Sequence, residues 1–159
     1  MKKLAIVGAT GVVGRCVLKV LEEENIDVDE YILMASSRSK GKKLEFKGKE
    51  YIVQELTEDS FKKDDIDYAI FSAGAETAKR FAPIAAKCGT IVVDNSSAFR
   101  MDKDVPLIVP EVNADEISNN KGIIANPNCS TIQAVVPLKV MDCLYKIKRV
   151  VYSTYQAVS

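Results

Sequence analysis

The sequence contains no histidine. The chain therefore has no imidazole for general acid–base work near neutral pH. Cysteine is scarce: Cys16, Cys88, Cys129 and Cys143 are the only four, and no two are spaced as a metal-binding pair. No metal site is expected. Free thiols are expected, with three of the four read as small core residues. Neither charge is in excess, with 22 Lys plus Arg against 22 Asp plus Glu. A balanced surface gives no reason to expect nucleic acid or an anionic membrane as partner. Long apolar runs are also lacking. Leu4 to Val7 is interrupted by Gly8, too soon for the core of a signal peptide. No stretch approaches the roughly 18 apolar residues of a membrane helix. A soluble, cytoplasmic protein is expected. There is no internal repeat, low-complexity tract or Pro/Gly linker, and 159 residues suffice for one domain with a real core.

What is present is an alternation of short apolar runs with amphipathic stretches. Lys3 to Val7 reads as a buried strand. Val12 to Glu23 reads as a helix with Val13, Val17, Val20 and Leu21 on one face. Tyr31 to Ala35 is a second strand, followed by a small-residue and basic loop from Ser36 to Lys43. Leu44 to Phe46 and Tyr51 to Val53 form a hairpin across Gly48. Tyr68 to Phe71 is a strand, and Glu76 to Cys88 a helix closed by Gly89. Ile91 to Val93, Leu107 to Val109 and Ile123 to Ala125 are short strands. Thr131 to Leu144 is a helix that Pro137 should kink. Val150 to Val158 is a strand-like run. Repeated strand–helix–strand units rich in Val and Ile predict an α/β, Rossmann-like fold, a mostly parallel sheet with helices on both faces.

The first strand leads into Gly8-Ala-Thr-Gly-Val-Val-Gly14. Glycines Gly8, Gly11 and Gly14 permit a tight turn and let backbone N–H groups approach a pyrophosphate at the helix N-terminus. The position after a strand and before a helix strengthens a pattern that alone would also fit an ordinary turn. Dinucleotide folds place a selector residue about 20 residues further on. Here that stretch is Ala35-Ser-Ser-Arg-Ser39, without an acid. A carboxylate would repel a 2′-phosphate, whereas Arg38 with the hydroxyls of Ser36 and Ser39 would bind it. NADP is favoured over NAD, the alternative being a solvated basic loop. Ser72-Ala-Gly-Ala75 ends another strand. Ala73 and Gly74 would allow close approach of the nicotinamide ribose, and an ordinary turn explains them nearly as well.

Ala125-Asn-Pro-Asn-Cys-Ser-Thr-Ile-Gln133 is the most informative run. Ser130 and Gln133 fit a capping box, which puts a helix start directly after Cys129. A thiolate there is stabilised by the helix dipole, and the same N–H groups suit an oxyanion hole. A small buried residue at a helix start fits as well. Arg100, in Asn95-Ser-Ser-Ala-Phe-Arg100, is placed to hold a phosphate or carboxylate, but a loop arginine is commonly only a surface charge.

Together these segments resemble the bacterial aspartate-semialdehyde dehydrogenase family. The carriers are the glycine loop, Ala35 to Ser39, Asp94 to Arg100, Val109-Pro-Glu-Val-Asn113, Asn126-Pro-Asn-Cys-Ser-Thr131 and Ser153-Thr-Tyr-Gln-Ala-Val-Ser159, in the family's order from end to end. N-acetyl-γ-glutamyl-phosphate reductases, with a Pro-Gly-Cys-Tyr context, and glyceraldehyde-3-phosphate dehydrogenases, with Ser-Cys-Thr-Thr, fit Pro127-Asn-Cys-Ser130 less well. The resemblance implies that Cys129 attacks the acyl phosphate of aspartyl phosphate, and that NADPH reduces the resulting thioester to aspartate semialdehyde. That step serves lysine, threonine, methionine and diaminopimelate biosynthesis. It implies Thr10, Gly11, Val12, Val13, Arg38 and Ser39 as NADP contacts. Arg100 becomes a phosphate-binding residue, Asn128 a neighbour of the nucleophile and Gln156 a substrate-orienting residue. Residues 1–129 correspond to the NADP-binding domain. Residues 130–159 correspond to the start of the catalytic and dimerisation domain of a homodimer, incomplete in this chain. The family's catalytic histidine has no counterpart here, so the chain alone is expected to be inactive. A stand-alone NADP-binding module is the competing reading. A short-chain reductase is set aside, because no Tyr-x-x-x-Lys pair occurs.

Overall fold

Runs of Val, Ile, Leu and Met that are apolar on both faces can only be satisfied by a sheet covered on both sides. The computed structural model describes residues 2–63 and 65–155 and contains such a sheet. β1 (Lys3–Val7) lies between β2 (Glu30–Ala35) and β6 (Tyr68–Phe71). β5 (Gln54–Glu55) flanks β2, and β7 (Ile91–Asp94) and β8 (Ile123–Ala125) extend the other side. The order β5-β2-β1-β6-β7-β8 is parallel throughout. From β1 the chain first builds outward through β2 and then returns to build the opposite way through β6. The direction reverses between β1 and β6, the place where open α/β sheets bind ligands.

Helix α1 (Val12–Glu23) covers one face and α3 (Ala75–Lys87) the other. Successive β1 residues serve the two cores alternately. Leu4 and Ile6 join Leu18, Leu21, Leu33 and Phe46, while Ala5 and Val7 join Met34, Phe71, Phe81 and Ala82. The buried side of α1 is Gly14, Leu18 and Leu21, with Val17 partly buried. Val13 and Val20 face outward, 46% and 50% exposed, so the stripe lies one residue round from the predicted one. The physical reason is Gly14, which draws the helix against the loop at that point.

The predicted hairpin is β3 (Lys43–Phe46) with β4 (Lys49–Ile52). Lys47 and Gly48 both have positive φ, as the favoured two-residue hairpin turn requires. Phe46 and Tyr51 meet Tyr31 edge-on, at 4.8 and 6.4 Å between ring centroids. The hairpin thus closes the α1 side of the core. A short helix α2 (Ser60–Lys63) puts Phe61 on the other face, stacked 6.0 Å from Phe71.

Three expectations need correction. Leu107 to Val109 makes only a single parallel bridge, Leu107 to Ala125, instead of a strand. Pro106 has no N–H to donate, and Pro110 opens the short helix α4 (Pro110–Asn113) immediately afterwards. Residues 150–155 form no strand and are exposed, because among the described residues no strand lies alongside to offer a ladder; 156–158, and with them Gln156, lie outside the described residues. Helix α5 (Cys129–Tyr145) holds Pro137 in its interior, as expected. All four cysteines are exposed rather than core residues: Cys16 is on the outer side of α1, Cys88 caps α3, and α5 buries no residue.

The connection from β7 to β8 is pinned at the surface. Lys121 Nζ donates to Asp104 at 2.7 Å, and that hydrogen bond and charge hold the Asp104 carboxyl below its ordinary range. Among the described residues no helix is long and apolar enough to cross a membrane.

Candidate functional site

The parallel register aligns the strand ends in one row: Met34, Val7, Phe71, Asp94 and Ala125. Just beyond that row the chain leaves the sheet as the glycine loop, the Ser36–Ser39 turn, Ser72–Gly74, Asn95–Arg100 and Asn126–Cys129. Every described candidate segment therefore lies on the carboxyl edge of one sheet.

The first three segments enclose a cavity of about 640 Å³. Gly8, Thr10 and Gly11 line it from the glycine loop, Ser36 and Arg38 from the selector turn, and Ala73 from the third segment. Ser39 is buried below and receives a hydrogen bond from the Thr10 hydroxyl at 3.4 Å, which ties the two loops together. Val12, Val13 and Gly14 open α1 behind the loop, and Gly74 is the N-cap of α3.

Two glycines explain the close approach. A Cβ on Gly14 would lie 2.2 Å from the Gly8 carbonyl oxygen, so only glycine lets α1 begin against the loop. Gly8 has φ +90, and a Cβ there would meet the Ser72 backbone at 2.9 Å. The α1 and α3 N-caps, Gly11 and Gly74, make no side-chain cap. The first-turn N–H groups of both helices are therefore left for water or an anion.

The cavity wall also includes Glu55, Leu56, Thr77, Arg80 and Phe81, which the sequence reading did not single out. β5 is two residues long, too short to show a period. Thr77, Arg80 and Phe81 sit in α3, where apolar spacing marks only the core side. Arg80 pairs with Glu58 at 2.9 Å.

The other two segments form a braced frame. Arg100 donates through Nε to the Asn126 carbonyl at 3.0 Å and through Nη2 to the Asn95 carbonyl at 3.2 Å. Asn126 donates to the Asn95 side chain at 2.7 Å. Below them the fully buried Asp94 accepts from the Ser96 N–H and hydroxyl at 3.0 and 2.7 Å. Arg100 therefore joins the loops after β7 and β8 and is not merely a surface charge.

Cys129 is the first residue of α5, and the cap is Asn128, not Ser130. Asn128 Oδ1 accepts from the Ser130 N–H at 3.0 Å. The helix starts earlier than predicted because the asparagine carbonyl reaches that N–H first, and the Ser130 N–H is thereby withdrawn from an oxyanion role. Asn128 also lines, with Ser130, Thr131 and Tyr152, a cavity of about 410 Å³. Among the described residues no group of three or more Cys, Asp or Glu is arranged to hold a metal.

A doubly wound parallel sheet, a glycine loop against a helix N-terminus and a cavity at the reversal point define a dinucleotide-binding domain. A family model described as semialdehyde dehydrogenase, NAD binding domain, matches residues 3–120. The chain belongs to that family. It is 63% identical over 160 aligned residues to aspartate-semialdehyde dehydrogenase of Aquifex aeolicus (strain VF5), an alignment covering 99% of this chain and 46% of the relative. The crystal structure of aspartate semialdehyde dehydrogenase II complexed with ASA from Vibrio cholerae superposes with TM-score 0.85 at 49% identity, over 90% of this chain and 47% of that one. The aspartate semialdehyde dehydrogenase with NADP from Candida albicans superposes with TM-score 0.75 at 29% identity, over 92% and 48%. The chain thus spans about half the length of the relatives it matches.

Proposed function

We propose that this chain supplies the NADP site and the cysteine nucleophile for the reductive dephosphorylation of aspartyl phosphate to aspartate semialdehyde. The observation that carries the reading is the shared carboxyl edge: nucleotide loops after β1, β2 and β6, and the Arg100 and Cys129 segments after β7 and β8. On this reading residues 1–129 are the cofactor domain. Residues 130–159 begin the part that completes the substrate site and joins two copies into a dimer.

The residues present fit NADP. Gly8, Thr10, Gly11, Val12, Val13 and Gly14 would hold the pyrophosphate through backbone N–H groups. Ser36, Arg38 and Ser39 would take the 2′-phosphate, and Ala73 and Gly74 leave room for the nicotinamide ribose. When bound, the cofactor supplies the hydride. The protein's own chemistry starts at Cys129. Its thiolate attacks the acyl carbon of aspartyl phosphate, the C–O bond to phosphate breaks, phosphate leaves with the electron pair, and a thioester remains. Arg100 balances phosphate charge from its braced position, Asn128 flanks the reacting carbon, and Gln156 orients the amino acid.

Titration of the purified chain tests the cofactor half: NADP should bind more tightly than NAD. Alkylation tests the substrate half. Aspartate semialdehyde should shield Cys129 from iodoacetamide and leave Cys16, Cys88 and Cys143 unshielded. Equal shielding of all four, or shielding of another cysteine in place of Cys129, would remove the substrate assignment.

A further inference from the structure

The cavity holds a carboxylate that inspection of the second strand does not reveal. Dinucleotide folds that use NAD place an acid at the end of that strand to accept the ribose hydroxyls. Here β2 ends at Ala35, and Ser36 and Arg38 follow. The acid arrives from the side instead. β5 runs parallel to β2 with Glu55 directly opposite Ala35, about 4.8 Å away across one strand spacing. Glu55 lines the same cavity as Ser36 and Arg38.

Its carboxylate accepts from Lys40 Nζ at 3.2 Å, and Lys40 directly follows the Ser37–Ser39 turn. The two side chains are 32% and 65% exposed. An ion pair this open to water is weak and easily exchanged. The other pair at the rim differs, because Glu58, which holds Arg80, is not part of the cavity wall. Among the residues lining this cavity Glu55 is the one acid, and Lys40, which lines the adjacent cavity that Glu55 also borders, is the cation paired with it.

We propose that Glu55 and Lys40 form a second cofactor-selecting couple, through which this pocket accepts NAD as well as NADP. With NAD, Glu55 takes the 2′- and 3′-hydroxyls of the adenosine ribose. With NADP, Lys40 turns toward the 2′-phosphate beside Arg38, and its charge offsets the repulsion between that phosphate and Glu55. The inference rests on the reading of this cavity as the nucleotide site.

The test is calorimetric titration of the full chain and of Glu55→Gln and Lys40→Met with each nucleotide, with a thermal melt to establish that each variant is folded. Glu55→Gln should weaken NAD about tenfold, the worth of one hydrogen bond to a charged group, and leave NADP unchanged or tighter. Lys40→Met should weaken NADP about three- to tenfold and leave NAD unchanged or tighter. The couple is overturned if Glu55→Gln shifts both nucleotides equally or neither, or if the unaltered chain binds NADP but no NAD. Either result leaves the NADP reading standing. Failure of the unaltered chain to bind any nucleotide would remove both.

Discussion

At the scale of single residues, the cofactor cavity depends on one side chain that is present and one that is absent. Arg38 is the cation nearest in sequence to the selector position and lines the cavity. Replacing it with alanine should narrow the preference for NADP over NAD by about 1.5–3 kcal/mol, the range for hydrogen bonds to charged groups. Paired titrations read that difference, and an unchanged ratio would move the 2′-phosphate elsewhere. Gly14 contributes by what it lacks. In Gly14→Ala the new methyl would sit 2.2 Å from the Gly8 carbonyl oxygen and 2.8 Å from Ala9 Cα. Both obstacles are backbone, so α1 must shift or the loop must open. Overpacking of this kind costs about 1–3 kcal/mol, and a denaturant midpoint should report it. Nucleotide affinity should fall with it, because the displaced N–H groups belong to the proposed site. A variant as stable and as tight-binding as the parent would mean that the loop is more plastic than its geometry indicates.

At the scale of elements, the contrast is between helices left open and a helix that is capped. α1 and α3 start at glycines without side-chain caps, while α5 starts at Asn128 with its carbonyl on the Ser130 N–H. Cys129 sits at the first position of that helix, beside the positive end of its dipole. All four cysteines are exposed, so access does not decide the order of labelling. Cys16 lies within α1 and Cys143 in the last turn of α5, while Cys88 follows α3 at its negative end. Limited iodoacetamide at neutral pH, read by peptide mass, should label Cys129 first. Earlier labelling of any other cysteine would count against its role as nucleophile. The same elements show what a sequence makes legible. β1, α1, β2, β6 and α3 were readable because period and end signals coincide, as in Gly89 with φ +92 closing α3. The glycine loop was readable because its strand and helix flanks were. Glu55 was not, since its position beside Ala35 arises from strand pairing across 20 residues of chain that include a hairpin. The cap at Asn128 was misassigned to Ser130 because both residue types cap well and only geometry separates them. The run from Val150 looked like a strand because β-branched composition reports preference, and pairing needs a neighbour.

At the scale of the whole molecule, the chain is unevenly held together. The sheet, α1 and α3 share two buried clusters. α5 buries none of its residues, and its principal packing partner is the one-turn helix α4. Val140, Leu144 and Tyr145 are 60%, 69% and 79% exposed. A helix that is at most half-buried has little beyond its own backbone hydrogen bonds to resist opening, and Pro137 in its interior removes one of those. Local opening should therefore be far easier in α5 than in the sheet. Hydrogen exchange on the full chain should show α5 amides exchanging orders of magnitude faster than those of β1 and β6, which should open only with global unfolding. Adding NADP then separates the two regions. A ligand that binds the native state stabilises it by about 2.7 kcal/mol at a hundredfold excess over its Kd. That gain is expressed in segments whose exchange requires loss of the site. Protection should rise in β1, α1 and β6 and stay unchanged in α5, because α5 can open while the glycine loop, Arg38 and Ala73 remain in place. The division proposed near residue 129 is then a thermodynamic boundary as well as a topological one. Protection of α5 equal to that of β1, or an increase in α5 on adding NADP, would instead make the two regions one cooperative unit.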